Sequence, residues 1–193
     1  MVTVSLVAVS GSLQSPSRTS VLARDILTAY ADALGDEHLV TTDVIELSEL
    51  GREFSGALRR DELSVRAEDA LRRIESASLL VVASPVYRAS FTGLFKHVFD
   101  FVDQYALVDT PVQLAATGGS DRHALALEHQ FRPLFAFFQS LTLPLAVYAR
   151  DTDFTDGRIA SAALHDRLEL TVRRGLPSVR AALATSSPVA AGV

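Results

Sequence analysis

Leu79–Ala83 reads LLVVA, five residues that are all apolar and are followed at once by Ser84 and Pro85. A run this short and this rich in β-branched residues favours a strand over a helix. It is apolar at every position rather than at alternate ones, so both faces of the strand have to be covered. That requirement points to a parallel sheet with helices on both sides. Thr3–Val9 is a second run of the same kind, closed by Ser10-Gly11, and Leu39–Leu47, Pro111–Ala116 and Thr142–Ala149 complete a set of five.

The intervening segments carry helical spacing. Arg18–Leu34 places Val21, Leu22, Ile26, Leu27, Tyr30 and Leu34 on one side and stops at Gly35. Val65–Ala77, Phe91–Tyr105 and His123–Ser140 read as further helices, the last interrupted by Pro133. Ile159–Leu183 reads as a terminal helix with a break at Gly175-Leu176-Pro177, and Ser48–Leu63 as a loop with a short helix. Five alternations of strand and helix in 193 residues define an α/β three-layer sandwich around a five-stranded parallel sheet. The flavodoxin-like strand order 2-1-3-4-5 is expected. Residues 1–185 are expected to form one such domain, and 186–193 (SSPVAAGV) a disordered tail.

Composition removes several classes of function. The chain has no cysteine, which excludes disulfides, thiolate catalysis and Cys-ligated metal, and suits a reducing cytoplasm. The opening VTVSLVAVSGS has no basic leader region, and no apolar run approaches the roughly 18 residues of a membrane span. Neither a signal peptide nor a membrane association is expected. Net charge is −5 with both signs interspersed and no basic stripe, so nucleic acid is not an expected partner. All but one of the 18 basic residues are arginine, Lys96 being the exception; this reads as a compositional bias, not a binding surface.

In sheets of this order, ligands bind beyond the carboxyl ends of the strands, near the switch point between the first and third. Three loops fall there. Gly11–Leu22 (GSLQSPSRTSVL) is rich in hydroxyls, carries Arg18, and leads into the first helix. A helix N-terminus presents free N–H groups and the positive end of its dipole, to which Ser12, Ser17, Thr19, Ser20 and Arg18 add donors suited to a terminal phosphate. The same residues also make an ordinary serine-rich cap and turn. The loop carries neither G-x-x-x-x-G-K-[ST] nor G-x-G-x-x-G. Ser84–Gly93 (SPVYRASFTG) follows the third strand. Its Pro85, Val86, Tyr87 and Arg88 either line a flat heterocycle or form a proline-led turn packed on its own domain. Thr117–Ala124 (TGGSDRHA) follows the fourth strand, and Gly118 and Gly119 allow close backbone approach or a plain capped turn. Taken together, the loops describe a slot with a phosphate pocket at one end, the shape of a mononucleotide such as FMN.

The blocks Val7–Ser12 (VAVSGS), Ser17–Leu22 (SRTSVL), Val81–Asp103 (VVASPVYRASFTGLFKHVFDFVD), Leu114–Phe135 (LAATGGSDRHALALEHQFRPLF) and Leu143–Phe154 (LPLAVYARDTDF) carry a resemblance. The chain resembles the NAD(P)H-dependent FMN reductases of the flavodoxin-like superfamily. It is most similar to the flavin reductases of alkanesulfonate and methanesulfonate two-component monooxygenase systems. The resemblance implies FMN with its phosphate on Ser12, Ser17, Arg18, Thr19 and Ser20. It implies an isoalloxazine ring against Pro85, Val86, Tyr87 and Arg88, with Thr117, Gly118 and Gly119 along the pyrimidine side. A nicotinamide stacked on the open flavin face would deliver hydride to N5, and no catalytic side chain is required. FMNH2 would pass to a partner sulfonate monooxygenase in sulfur assimilation. The alternatives are an FMN-containing quinone or azo reductase, or a flavodoxin-type electron carrier.

The histidines do not suggest a metal. His123 and His129 are six apart, which misses the i, i+4 face. His97 is expected to be packed in its helix, and His123 to lie near the flavin pyrimidine, to contact the pyridine nucleotide, or to bond backbone at a helix start. Pro133 removes an N–H and crowds the carbonyl of His129, so a kink or a one-turn π-bulge is expected there. In the similar alkanesulfonate reductases the corresponding position is a tyrosine in a helix at the subunit interface, which implies an interface position for His129. Phe91–Tyr105 and His123–Phe138 are apolar nearly all round, with Phe135, Phe137 and Phe138 crowded together. Cover from a second copy is expected, giving a homodimer or a dimer of dimers.

Overall fold

A computed structural model describes residues 3–35 and 38–186. Five regions of strand form a parallel sheet in the order β2-β1-β3-β4-β5, with β6 also paired to β4. The strands are β1 (Thr3–Ser10), β2 (Leu39–Glu46), β3 (Leu79–Pro85), β4 (Pro111–Gly118), β5 (Leu141–Thr142) and β6 (Val147–Arg150). The helices are α1 (Arg18–Leu34), α2 (Leu47–Phe54), α3 (Val65–Glu75), α4 (Gly93–Phe101), α5 (Arg132–Phe137) and α6 (Ala162–Ser186). A two-stranded antiparallel ribbon, β7 (Phe154–Thr155) and β8 (Arg158–Ile159), precedes α6.

The continuous apolar runs are buried as their composition requires. β3 is buried from Leu79 to Ser84, and β4 from Pro111 to Thr117. Alternate residues feed two cores. Val7, Val9, Leu80, Val82, Val112 and Leu114 meet α2, α3, α4 and α5. Leu6, Ala8, Leu79, Val81, Ala115 and Val147 meet α1 and α6. β2 is the open edge, and its more polar side chains fit that place.

Four expectations are corrected. The fifth strand is split around Pro144, where two extra residues shift its register against β4 from Val112↔Thr142 to Ala115↔Val147. Leu143 still donates to the Val112 carbonyl at 2.9 Å, and beyond it the Gln113 side-chain amide donates to the Leu145 carbonyl at 2.8 Å. The helix expected over Phe91–Tyr105 runs only from Gly93 to Phe101, since the Thr92 hydroxyl accepts from the Phe95 N–H and caps it. The helix expected over His123–Ser140 is three pieces. A 3₁₀ turn at Asp121–His123 and a π turn at Leu127–Phe131 precede α5, with Pro133 in the first turn of α5. Gly175-Leu176-Pro177 does not break α6. A Cβ on Gly175 would collide with the Tyr30 hydroxyl, so glycine stands there to admit Tyr30. Of the expected tail, Ser186 closes α6, and 187–193 lie outside the described residues.

The phenylalanines expected to need cover from outside mostly find it inside the chain. Phe95, Phe99, Phe131, Phe135 and Phe138 are buried and pack edge-on or tilted against one another, leaving Phe137 64% exposed. His97 is packed as expected, its ring bonded to the Phe54 carbonyl and edge-on to Phe101.

The segment after α2 is held by charge. The Arg60 guanidinium binds Glu68 at 2.9 Å and Glu75 at 2.5 Å. Hydrogen bonds from Arg60 and Arg72 hold the Glu68 carboxyl down to about 2 from an ordinary 4.5. A carboxyl with a lowered folded-state pKa stabilises fully above its unfolded value and loses that contribution as pH falls towards the folded one. Glu68→Gln should therefore flatten the loss of stability between about pH 4.5 and pH 2 in an acid unfolding series. On the other side of the sheet, the fully buried Tyr30 hydroxyl donates to Gln113 Oε1 at 2.9 Å, and burial pushes its pKa above the usual tyrosine range. Tyr30→Phe leaves that amide oxygen buried without its donor and should cost about 1–3 kcal/mol in urea unfolding.

Candidate functional site

All strand ends from β1, β3, β4 and β6 reach the same edge, and three loops are fastened together there. Gly11 N–H donates to the Ala83 carbonyl at 2.7 Å, and the Thr92 hydroxyl donates to the Gly11 carbonyl at 2.9 Å. A Cβ on Gly11 would sit 2.8 Å from the Phe95 ring and 2.9 Å from Ser84, so only glycine passes. Ser17, in extended conformation, caps α1 by accepting from the Thr19 and Ser20 N–H groups. The buried Thr19 and Thr117 hydroxyls meet at 2.7 Å and tie the first loop to the third. The Val86 N–H donates to the Thr117 carbonyl at 2.8 Å and ties the second to it.

The second loop is a tight hairpin. Tyr87 and Ser90 exchange both backbone hydrogen bonds, at 2.8 and 3.1 Å. The central residues Arg88 and Ala89 both have positive φ, 51° and 68°. That conformation is usual for Asn-Gly or Gly-Gly, and it strains a residue with a Cβ. In the third loop a Cβ on Gly118 would collide with the Tyr148 hydroxyl, which donates to the Ser120 carbonyl at 2.6 Å. Burial pushes the Tyr148 phenol up.

The slot between these loops has a volume of about 530 Å³. Of the residues singled out from sequence, Ser12, Ser17, Arg18 and Thr19 line one end, Pro85, Val86 and Tyr87 a second wall, and Thr117, Gly118 and Gly119 a third. Two are not among the lining residues. The Ser20 hydroxyl lies between Ser10 Oγ at 2.9 Å and Glu46 Oε2 at 3.1 Å. Arg88 is exposed at the hairpin tip. His123 is half-buried in its 3₁₀ turn and does not line the slot. His129 lies within the π turn, exposed, as the clash with Pro133 predicts.

Sequence reading missed Gln14, Pro16, Val21, Asp151 and Gly157 as lining residues. Asp151 follows β6, whose end lies at the same edge, and Arg18 Nη1 donates to its carboxylate at 3.2 Å. Gly157 sits at the turn of the β7–β8 ribbon, where Asp156 and Gly157 both have positive φ. The dipeptide Asp156-Gly157 is itself a hairpin signal. A larger cavity of about 640 Å³ lies beyond β6, lined by Glu128, Tyr148, Arg150 and Arg167 among others, but away from the switch point. No group of three or more His, Cys, Asp or Glu among the described residues is arranged to hold a metal.

The sheet order and the slot define a flavodoxin-like α/β protein. A family described as NADPH-dependent FMN reductase matches residues 4–155. The NADH-dependent FMN reductase SfnE of Pseudomonas putida is 53% identical over 173 residues, 89% of this chain and 90% of that protein. FMN reductase (NADPH) of Pseudomonas aeruginosa is 48% identical over 172 residues, again 89% and 90%. The crystal structure of an oxidoreductase from Corynebacterium diphtheriae superposes with a TM-score of 0.83 at 31% identity, covering 95% of this chain and 98% of that one. The chain belongs to the NADPH-dependent FMN reductase family and is an oxidoreductase.

The strained hairpin makes its own prediction. Ala89→Gly relieves a left-handed alanine and should raise stability by up to about 1 kcal/mol, read as a higher thermal midpoint. No change, or a lower midpoint, would show that Ala89 is not strained.

Proposed function

We propose that this protein is an NAD(P)H:FMN oxidoreductase that releases FMNH2 to a partner FMNH2-dependent sulfonate monooxygenase in the cytoplasm. The observation that carries the reading is the convergence of three loops on one slot at the N-terminus of α1. The residues present fit a mononucleotide. A helix N-terminus, the Ser12, Ser17 and Thr19 hydroxyls and the Arg18 guanidinium suit a phosphate. Pro85, Val86 and Tyr87 offer an apolar wall to a flat ring. Relatives named SfnE and SfnF, at 53 and 50% identity, support the partner role.

Bound FMN supplies a hydride acceptor at N5, and the chain's own residues bind and orient. Ser17 fixes the first turn of α1 at this end of the slot by accepting from the Thr19 and Ser20 N–H groups. The backbone at Gly118 and Gly119, bare of side chains, lines the slot and would receive the polar edge of the ring. Tyr87, 46% exposed, lines the slot and would border the face left to the nicotinamide. No acid or base is assigned, and hydride transfer needs none.

The chain acts as a homodimer or dimer of dimers in this reading, with His129 at the interface. The support is local: Leu125 and Phe137, 63 and 64% exposed, lie on either side of the π turn that carries His129. Light scattering should give twice or four times the chain mass, and a monomer at micromolar concentration would contradict it.

Anaerobic stopped-flow with NADH or NADPH tests the activity. Oxidation should scale with added FMN and liberate free FMNH2. One reduced equivalent of retained flavin, with turnover only on adding a quinone or azo dye, would move the assignment to that class of reductase.

A further inference from the structure

Among the described residues that line the slot, Arg18 is the one cation and Asp151 the one carboxylate. They are paired: Arg18 Nη1 to Asp151 Oδ1 is 3.2 Å, with both side chains 54% exposed. The other carboxylate oxygen lies 3.7 Å from where a Cβ on Gly119 would stand, so Asp151 belongs to the wall of the slot and does not point away from it. The neighbouring Arg150 is occupied by Asp121 and Asp153 and does not line the slot. The side chains of the slot therefore carry no net charge, although its hydroxyls and helix N-terminus are suited to a dianion.

A site made to retain a phosphate would leave its cation unshared. Here a carboxylate competes for the guanidinium and repels the incoming charge. We propose that Asp151 is an affinity-setting residue: it holds Arg18 when the slot is empty, opposes the phosphate when FMN enters, and so keeps the flavin exchangeable. This rests on the reading of the slot as an FMN site that releases its product. The role requires no covalent step and no titration of Asp151. It acts on the phosphate and not on the ring, so riboflavin, which lacks the phosphate, should not feel it.

The test is Asp151→Asn, which keeps the shape of the side chain and removes its charge. Flavin fluorescence gives Kd for FMN and for riboflavin, and displacement in the stopped flow gives the FMN dissociation rate. FMN should bind about three- to tenfold more tightly and leave correspondingly more slowly, given the modest strength of charge interactions at a half-exposed site. Riboflavin affinity should not move. Raising ionic strength should shrink the difference between variant and wild type. Arg18→Gln should cost more FMN affinity in the Asp151→Asn background than in wild type, because there Arg18 is no longer shared. Unchanged or weaker FMN binding in Asp151→Asn would overturn the proposal, weaker binding meaning that Asp151 serves to aim Arg18. An equal shift for riboflavin would also overturn it. Wild-type protein that binds no FMN would overturn both this proposal and the functional reading. Wild type that binds and reduces FMN while the variant fails these tests would overturn this proposal alone.

Discussion

Burial of the central strands on both faces is the constraint from which the rest of the structure follows. β1, β3 and β4 carry apolar side chains up and down the sheet, so helices must cover both sides, and the strands run parallel. Parallel strands end at one edge, and the chain must turn there each time. Gly11, Val86 and Gly118 lie together for that reason, and α1 begins beside them. The same geometry makes side chains expensive at chosen points. A Cβ at Gly11 meets Phe95, one at Gly118 meets the Tyr148 hydroxyl, and the loops close up only because those atoms are missing.

The slot is thus an electrostatic object set on an apolar frame. Its end at the start of α1 is formed by a helix N-terminus and hydroxyls, groups that attract anions. Among the described lining residues, side-chain charge comes from Arg18 and from Asp151, which offsets it. Another wall comes from a proline, a valine and a hairpin held in strained conformation by Tyr87 and Ser90. Strain of that kind persists only where the surroundings impose it. Here Pro85 lies in the sheet beside Thr117, and Ser90 is bonded to Gln130 of the π turn. The hairpin that lines the slot and the segment proposed to meet a second subunit are therefore in direct contact.

Much of this was legible in the sequence, for physical reasons that differ from residue to residue. α1 was readable end to end because its apolar spacing is clean and Ser17 and Gly35 mark its limits. The π turn was readable because Pro133 has only a few ways to sit after His129. Ten slot residues were readable because strand ends in such a sheet point to one place. The failures have causes too. Two extra residues around Pro144 split the fifth strand, while Gly175 looks like a helix breaker and is instead a space for Tyr30. Ser20 looks like a slot hydroxyl, yet its helical position turns it towards Ser10 and Glu46. Asp151 was invisible because its meaning depends on Arg18, 133 residues away.

The central claim is that the slot at the start of α1 holds the flavin. A crystal structure of the protein with FMN tests it most directly. The account predicts the phosphate at the α1 N-terminus within reach of Ser12, Ser17 and Arg18, and the ring between Pro85–Tyr87 and Thr117–Gly119. Flavin found instead in the larger cavity beyond β6, against Tyr148 and Arg167, would contradict it.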